Sequence, residues 1–185
     1  DLIRRTAEDR ALPATATAPI AAQAQVGLPS AVLPGTTMAI LHGSNLGTCR
    51  ALATQLAEEA TDAGCLASIA PLDSAVGGLP DADVALIVSS SYNGQPTDDA
   101  REFMAWLNGP DVEMKGAPFF AVLGVGDHNW ADTYQAIPKR IDERLAELGA
   151  TRLIPRGSAD TSGDLVGVVD EFTAAARAAA LQHFG

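Results

Sequence analysis

The stretch Met38-Ala39-Ile40-Leu41-His42-Gly43-Ser44-Asn45-Leu46-Gly47-Thr48-Cys49 decides how the rest of this 185-residue chain is read. Four consecutive apolar residues are what a parallel strand needs when helices cover both of its faces. The small polar residues behind them make a turn, and Leu52, Leu56 and Ala60, at four-residue spacing, then mark an amphipathic helix. The strand pattern returns at Val84 to Val88 and at Phe119 to Leu123, so these three runs are predicted to be central. Leu66 to Ala70 and Thr151 to Ile154 mix in Ser68, Thr151 and Arg152 and are predicted at the edges. With right-handed crossovers, five strands numbered in chain order fall into the parallel order 2-1-3-4-5. Further helices follow from Ala100, Phe103, Met104 and Leu107, from Tyr134, Ile137, Ile141, Leu145 and Leu148 ending at Gly149, and from Leu165, Val168, Val169, Phe172 and Ala176. Between strands 2 and 3, Pro71 to Ala82 leaves room for no more than a short helical turn.

Ahead of this pattern, Ala11 to Thr36 is rich in Ala and Pro, with Pro13, Pro19, Pro29 and Pro34 too closely spaced for a useful helix. It reads as a linker, which puts the folded domain at 37–185. Asp1 to Arg10 reads either as the last strand of a preceding domain or as a disordered charged tail, and the chain is expected to begin inside a longer protein. A hydrophobic fraction of 47% with 19% charged residues suits a soluble globular protein, and no apolar run reaches membrane-spanning length. The net charge of -11, with only 12 Lys and Arg, argues against a nucleic-acid partner. An acidic balance either complements a basic partner surface or serves solubility. Cys49 and Cys65 form no CxxC pair, and His42, His128 and His183 show no metal-ligand spacing.

In an open α/β sheet, ligands bind beyond the carboxyl ends of the strands, where successive connections leave in opposite directions. Three loops converge there: Gly43 to Cys49, Ser89 to Thr97 and Gly124 to Thr133. The first offers small residues, hydroxyls and backbone amides at a helix start, without the Lys of a Walker loop or the three glycines of a dinucleotide site. It suits a terminal monophosphate; the alternative is a plain polar turn with Ser44 or Thr48 as helix N-cap. The second and third loops each carry one large aromatic, Tyr92 and Trp130, in a chain with two Tyr, two Trp and five Phe. They read either as platforms for a planar ring or as covers for the end of the sheet.

The segments Leu41-His42-Gly43-Ser44-Asn45-Leu46-Gly47-Thr48, Ser91-Tyr92-Asn93-Gly94 and Gly126-Asp127-His128-Asn129-Trp130-Ala131-Asp132-Thr133-Tyr134-Gln135 resemble the FMN domain of diflavin reductases. The likeness runs from about Thr37 to the C-terminus and is strongest to self-sufficient bacterial fusions of a cytochrome P-450 with its own reductase. It implies a flavodoxin-like three-layer α/β sandwich that binds FMN. Gly43, Ser44, Asn45, Leu46, Gly47, Thr48 and Cys49 would then hold the phosphate, and Tyr92 and Trp130 would flank the isoalloxazine. Ser91, Asn93, Gly94, Val125, Gly126, Asp127 and Asn129 would line the ring, while Thr133, Tyr134 and Gln135 would close the site. His128 stands where relatives often carry Lys. The resemblance further implies a cytoplasmic electron carrier, fed from NADPH by a separate FAD domain and delivering to a haem domain, with residues 1–36 as the linker or the end of that haem domain.

Such a module needs no catalytic acid, base or nucleophile, because the flavin carries the redox change. Asp98, Asp99, Glu102, Asp127 and Asp132 read either as an acidic docking face or as ordinary charged surface. Cys49 reads as a small helix-start residue and Cys65 as a packed one. Three rival readings stand against this one. A response-regulator receiver shares the strand order but needs carboxylates where this chain has Gly43-Ser44 and Ser89-Ser90. A quinone reductase needs a nicotinamide site, for which no motif is found. A flavin-free flavodoxin-like adaptor, binding a protein through the acidic face, is separated by the absorbance of the purified protein.

Overall fold

The computed structural model describes residues 33–114 and 118–185. The expected linker and the alternatives for Asp1 to Arg10 thus lie outside the described residues, except for 33–36. There Leu33 is buried, and its amide donates to the Ala63 carbonyl, so core packing reaches back beyond Thr37.

Strand β1 (Thr37–Gly43) runs into helix α1 (Thr48–Asp62), followed by β2 (Leu66–Pro71), a single turn of 3-10 helix at Leu72–Ala75 that buries Leu72 and Ala75, and β3 (Val84–Tyr92). A short β4 (Gln95–Pro96), a 3-10 turn at Asp98–Ala100 and α2 (Arg101–Leu107) precede β5 (Phe119–Gly126). Helix α3 (Ala136–Glu147), strands β6 (Thr151–Arg152) and β7 (Gly157–Asp160) and helix α4 (Leu165–Phe184) complete the fold. The sheet order is β2-β1-β3-β5, with β6 and β7 both on the outer edge of β5. Apart from β4, which turns back antiparallel on β3, every pairing is parallel. This is the expected order 2-1-3-4-5, with the fifth strand in two pieces.

The break in that strand corrects the expected span Thr151 to Ile154. Pro155 lacks an amide for the ladder, and pairing resumes only at Gly157. Gly157 looks like a loop residue yet lies in the strand because α4 crosses it closely: a Cβ there would stand 2.8 Å from Phe172 and 2.9 Å from Leu123.

Side-chain alternation along the central strands builds two cores. Met38, Ile40, Val84, Leu86, Val88, Leu123 and Val125 pack under α1 and α4. Leu41, Ile87, Phe120 and Val122 pack on the other face, under α2, α3 and the 3-10 turn at Leu72. Period-2 alternation along runs with an apolar residue at every position is what makes a three-layer sandwich. Helix α3 starts at Ala136, two residues after the predicted Tyr134, and Gly149 ends its turn with φ +91°, as a left-handed C-terminal glycine does. Helix α4 is capped by the Asp164 carboxylate, which accepts from the Gly167 amide at 2.8 Å. At the amino ends of the strands, Phe119 stacks on His183, with centroids 4.4 Å apart, and meets Phe184 edge-on, fixing the end of α4 there.

Candidate functional site

At the carboxyl ends of β1, β3 and β5 a cleft of about 610 Å³ opens, within the usual range for a small-molecule site. Its walls come, apart from Thr161, from the three loops singled out in the sequence. Ser44, Asn45, Leu46, Thr48 and Cys49 line it from the first, Ser91, Tyr92 and Asn93 from the second, and Val125, Gly126, Asp127, Trp130, Thr133, Tyr134 and Gln135 from the third.

The first loop is held open by what lies beneath it. Gly43 pairs with Ser89 across the sheet, and a Cβ on it would sit 3.0–3.1 Å from Thr97, Leu72 and Ser89. Gly43 therefore supports the cleft from below and does not line it. The N-cap of α1 is Gly47, with φ +92° and no side-chain cap, so neither Ser44 nor Thr48 plays the capping role considered for it. The Ser44 hydroxyl instead accepts from the Gly47 amide at 2.9 Å. Asp99 braces the loop: its carboxylate accepts from the Ser44 amide at 2.8 Å and the Thr97 hydroxyl at 2.9 Å, and pairs with His42 Nδ1 at 3.1 Å. Asn45 accepts from the Asp98 amide at 2.7 Å. Among the described residues, the amides of Asn45, Leu46, Thr48 and Cys49 have no acceptor, and no Lys or Arg lines the cleft. Free amides at the start of a 15-residue helix, with the helix dipole behind them, form an anion site of neutral donors. Asp99, weighed as docking surface, is thus an internal brace, whereas Asp98 is exposed and pairs with Arg101.

The second loop is a tight hairpin. Asn93 and Gly94, with φ +50° and +74°, turn β3 into β4 in the two-residue Asn-Gly geometry that needs positive φ at both positions. Gly94 does not line the cleft; a Cβ on it would meet Thr133 at 3.0 Å, so the second and third loops touch here. Tyr92 and Trp130 line the cleft yet remain 55% and 67% exposed, too open to serve as packed covers for the sheet. Leu46, on the first loop, is 90% exposed beside them.

In the third loop, the Asp127 carboxylate accepts from the backbone and side-chain amides of Asn129; the backbone amide above all, then the Ser162 hydroxyl, hold it below the usual carboxylate range. Asn129 also reaches Ser162 at 3.0 Å, so it turns away from the cleft and braces the loop. His128 Nδ1 pairs with Asp160 at 2.5 Å. Burial raises the Asp160 carboxyl, but hydrogen bonds from the Ser162 amide and from His128 together outweigh that and hold it low. Gln135 caps α3 in a left-handed conformation, φ +60°, and is only 5% exposed. Its Nε2 has no hydrogen-bond partner among the described residues.

Of the residues named from sequence, Gly43, Gly47, Gly94 and Asn129 shape the loops without lining the cleft. Ser90 and Thr97, within the second loop but not named as ligand contacts, also line it, as does Thr161, which lies outside all three loops. Thr161 follows the overlooked β7 and donates from its amide to the Gly126 carbonyl at 2.8 Å, so finding β7 would have found it. Cys49 is buried beside the cleft, and burial above all pushes its thiol up to about 11.

Residues 40–172 match the Flavodoxin family. Among curated proteins, the chain is 45% identical over 147 residues to bifunctional cytochrome P-450/NADPH–P-450 reductase 1 of Bacillus subtilis, a match covering 79% of this chain and 14% of that protein. It is 42% identical over 151 residues to the bifunctional cytochrome P-450/NADPH–P-450 reductase of Bacillus cereus, covering 80% of this chain and again 14% of the relative. A self-sufficient cytochrome P-450 monooxygenase of Aspergillus niger is 44% identical over 129 residues, 69% of this chain and 12% of its own length. The chain thus spans about a seventh of these relatives. Among solved structures, a mutant flavodoxin from Pseudomonas aeruginosa superposes with a TM-score of 0.61 at 24% identity, over 79% of this chain and 98% of that one. At this identity the likeness is one of fold.

Proposed function

Because the chain belongs to the flavodoxin family, we propose that it is an FMN-binding electron-transfer module, relaying electrons from an NADPH-reduced FAD domain to the haem of a fused cytochrome P-450 monooxygenase. The observation that carries the reading is the meeting, in one cleft, of an amide-lined helix start and two exposed aromatic side chains. The residues fit the group. The amides of Asn45, Leu46, Thr48 and Cys49 would take the phosphate, Tyr92 and Trp130 would lie against the ring, and the unpartnered Gln135 amide would meet a polar atom of the flavin.

When bound, FMN supplies the redox chemistry, and the protein contributes binding, orientation and electrostatics. Neutral donors at the phosphate leave the surroundings acidic, with Asp127 on the cleft wall held ionised. That field disfavours further negative charge nearby and so favours giving electrons away. The division into a linker and an FMN domain, the cytoplasmic location and the FAD and haem partners are part of this proposal, which rests on the identity to the fused relatives. Among the described residues no helix is long and apolar enough to cross a membrane.

The test is an absorption spectrum of the purified chain, with acid release and identification of any yellow cofactor. Near-stoichiometric FMN supports the module, and haem reduction on mixing the charged protein with a P-450 domain supports the relay. A colourless protein that refuses added FMN refutes the reading and leaves the flavin-free adaptor.

A further inference from the structure

Gln135 is held in an unusual way. Its backbone sits in the left-handed region, which a residue with a side chain adopts at a cost, and its side chain is packed where a Cβ on Gly124 would overlap it. One end of its amide is fixed by a residue outside the cleft: Arg156 Nη1 donates to Gln135 Oε1 at 2.9 Å and to Ser158 Oγ at 2.8 Å. A guanidinium has donors and no acceptor, so only the oxygen end of the amide can face it. The NH₂ end must point the other way, toward Gly126 and the cleft, where it is buried without a partner. A buried amide lacking an acceptor costs free energy, and such groups are rare in folded proteins.

We propose that Arg156, which does not line the cleft, is a positioning residue that locks the Gln135 amide so that its NH₂ group donates to an oxygen of the flavin ring or ribityl chain. This inference rests on the FMN reading above. The phosphate is excluded as acceptor by topology. Gln135 packs on β5 and begins α3, whereas the phosphate loop leaves β1 for α1, two strand spacings away or roughly 10 Å, with α1 and α3 covering opposite faces of the sheet. The ligand class selected is one that presents a hydrogen-bond acceptor at this depth; a donor there would face another donor.

The experiment is flavin titration of the flavin-free protein, followed by fluorescence, for the unmodified chain, Arg156→Ala, Arg156→Lys, Gln135→Leu and the Arg156→Ala/Gln135→Leu double variant, using FMN and riboflavin in parallel. Loss of one neutral hydrogen bond predicts an about 3- to 10-fold weaker Kd for Arg156→Ala and for Gln135→Leu. The double variant is expected to be no weaker than either single one, since Arg156 acts through Gln135. Arg156→Lys, which still supplies a donor to Oε1, is expected to restore most of the affinity, and the losses should be equal for FMN and riboflavin. The thermal midpoints of the flavin-free variants serve as the structural control. The inference is overturned if Arg156→Ala binds as tightly as the unmodified chain, if the two losses add, or if the loss appears with FMN and not with riboflavin. No binding of either flavin by the unmodified chain would sink the FMN reading itself, which is a different result.

Discussion

Replacing Asp99 by Ala removes the brace under the first loop. In the folded protein its carboxylate serves the Ser44 amide, the Thr97 hydroxyl and the His42 ring, and its side chain is 20% exposed. The Thr97 hydroxyl can rotate to another acceptor, but the Ser44 amide and the buried His42 ring nitrogen cannot follow. Two polar groups left unpaired at roughly 1–3 kcal/mol each, reduced by partial access to water, amount to about 3 kcal/mol. For a domain of this size that corresponds to a fall in thermal midpoint of about 6–12 °C. Asp99→Asn keeps an oxygen for the Ser44 amide and should cost about 1 kcal/mol. The neighbouring Asp98→Ala removes only an exposed pair with Arg101 and should stay within about 1 kcal/mol of the unmodified protein. Differential scanning calorimetry of the three variants decides the matter. If Asp99→Ala melts within about 2 °C of Asp98→Ala, the bracing argument is wrong.

Tyr92→Ala and Trp130→Ala should each weaken FMN binding by about 5- to 100-fold, on the scale of aromatic stacking, while leaving the denaturant midpoint of the flavin-free protein nearly unchanged because both side chains are largely exposed. Asp83 is held below the ordinary carboxylate range first by the Thr37 amide and then by its hydroxyl. A depressed folded value contributes stability above about pH 4 and gives it up as pH falls through that lower value, so urea midpoints should drop on acidification and drop less in Asp83→Asn. Both cysteine thiols are buried and burial pushes them up, so a thiol reagent at about pH 8 should label neither in the native protein and both after denaturation.

Most of the fold was legible because each central strand holds a run that is apolar at every position and the helices carry clean i, i+4 spacing, as at Ile137, Ile141 and Leu145. The three loops of the cleft were legible because they are short, polar and follow those strands directly. What escaped notice depends on long-range contacts. Gly-Ser-Ala-Asp at 157–160 carries no strand signal, and only the approach of Phe172 explains its glycine. Asp98 and Asp99 are the same residue type side by side, yet the turn at 98–100 points one outward and the other under the loop. The link from Arg156 to Gln135 spans 21 residues and joins two elements whose pairing no local pattern announces.

The placement of Leu33 and of the end of α4 has a mechanical consequence. Leu33 bonds to Ala63 just ahead of β2, and His183 and Phe184 rest on Phe119 at the start of β5, so the described chain enters and leaves at the amino ends of the strands. The cleft lies at their far ends, about 23 Å away along the seven residues of β1. A polypeptide continuing from either end of this described fold is therefore attached behind it, at the handle and not at the blade. A rotation of 45° about that attachment would carry the rim with Leu46, Tyr92 and Trp130 through an arc of roughly 18 Å for that arm length, without disturbing a contact inside the sheet.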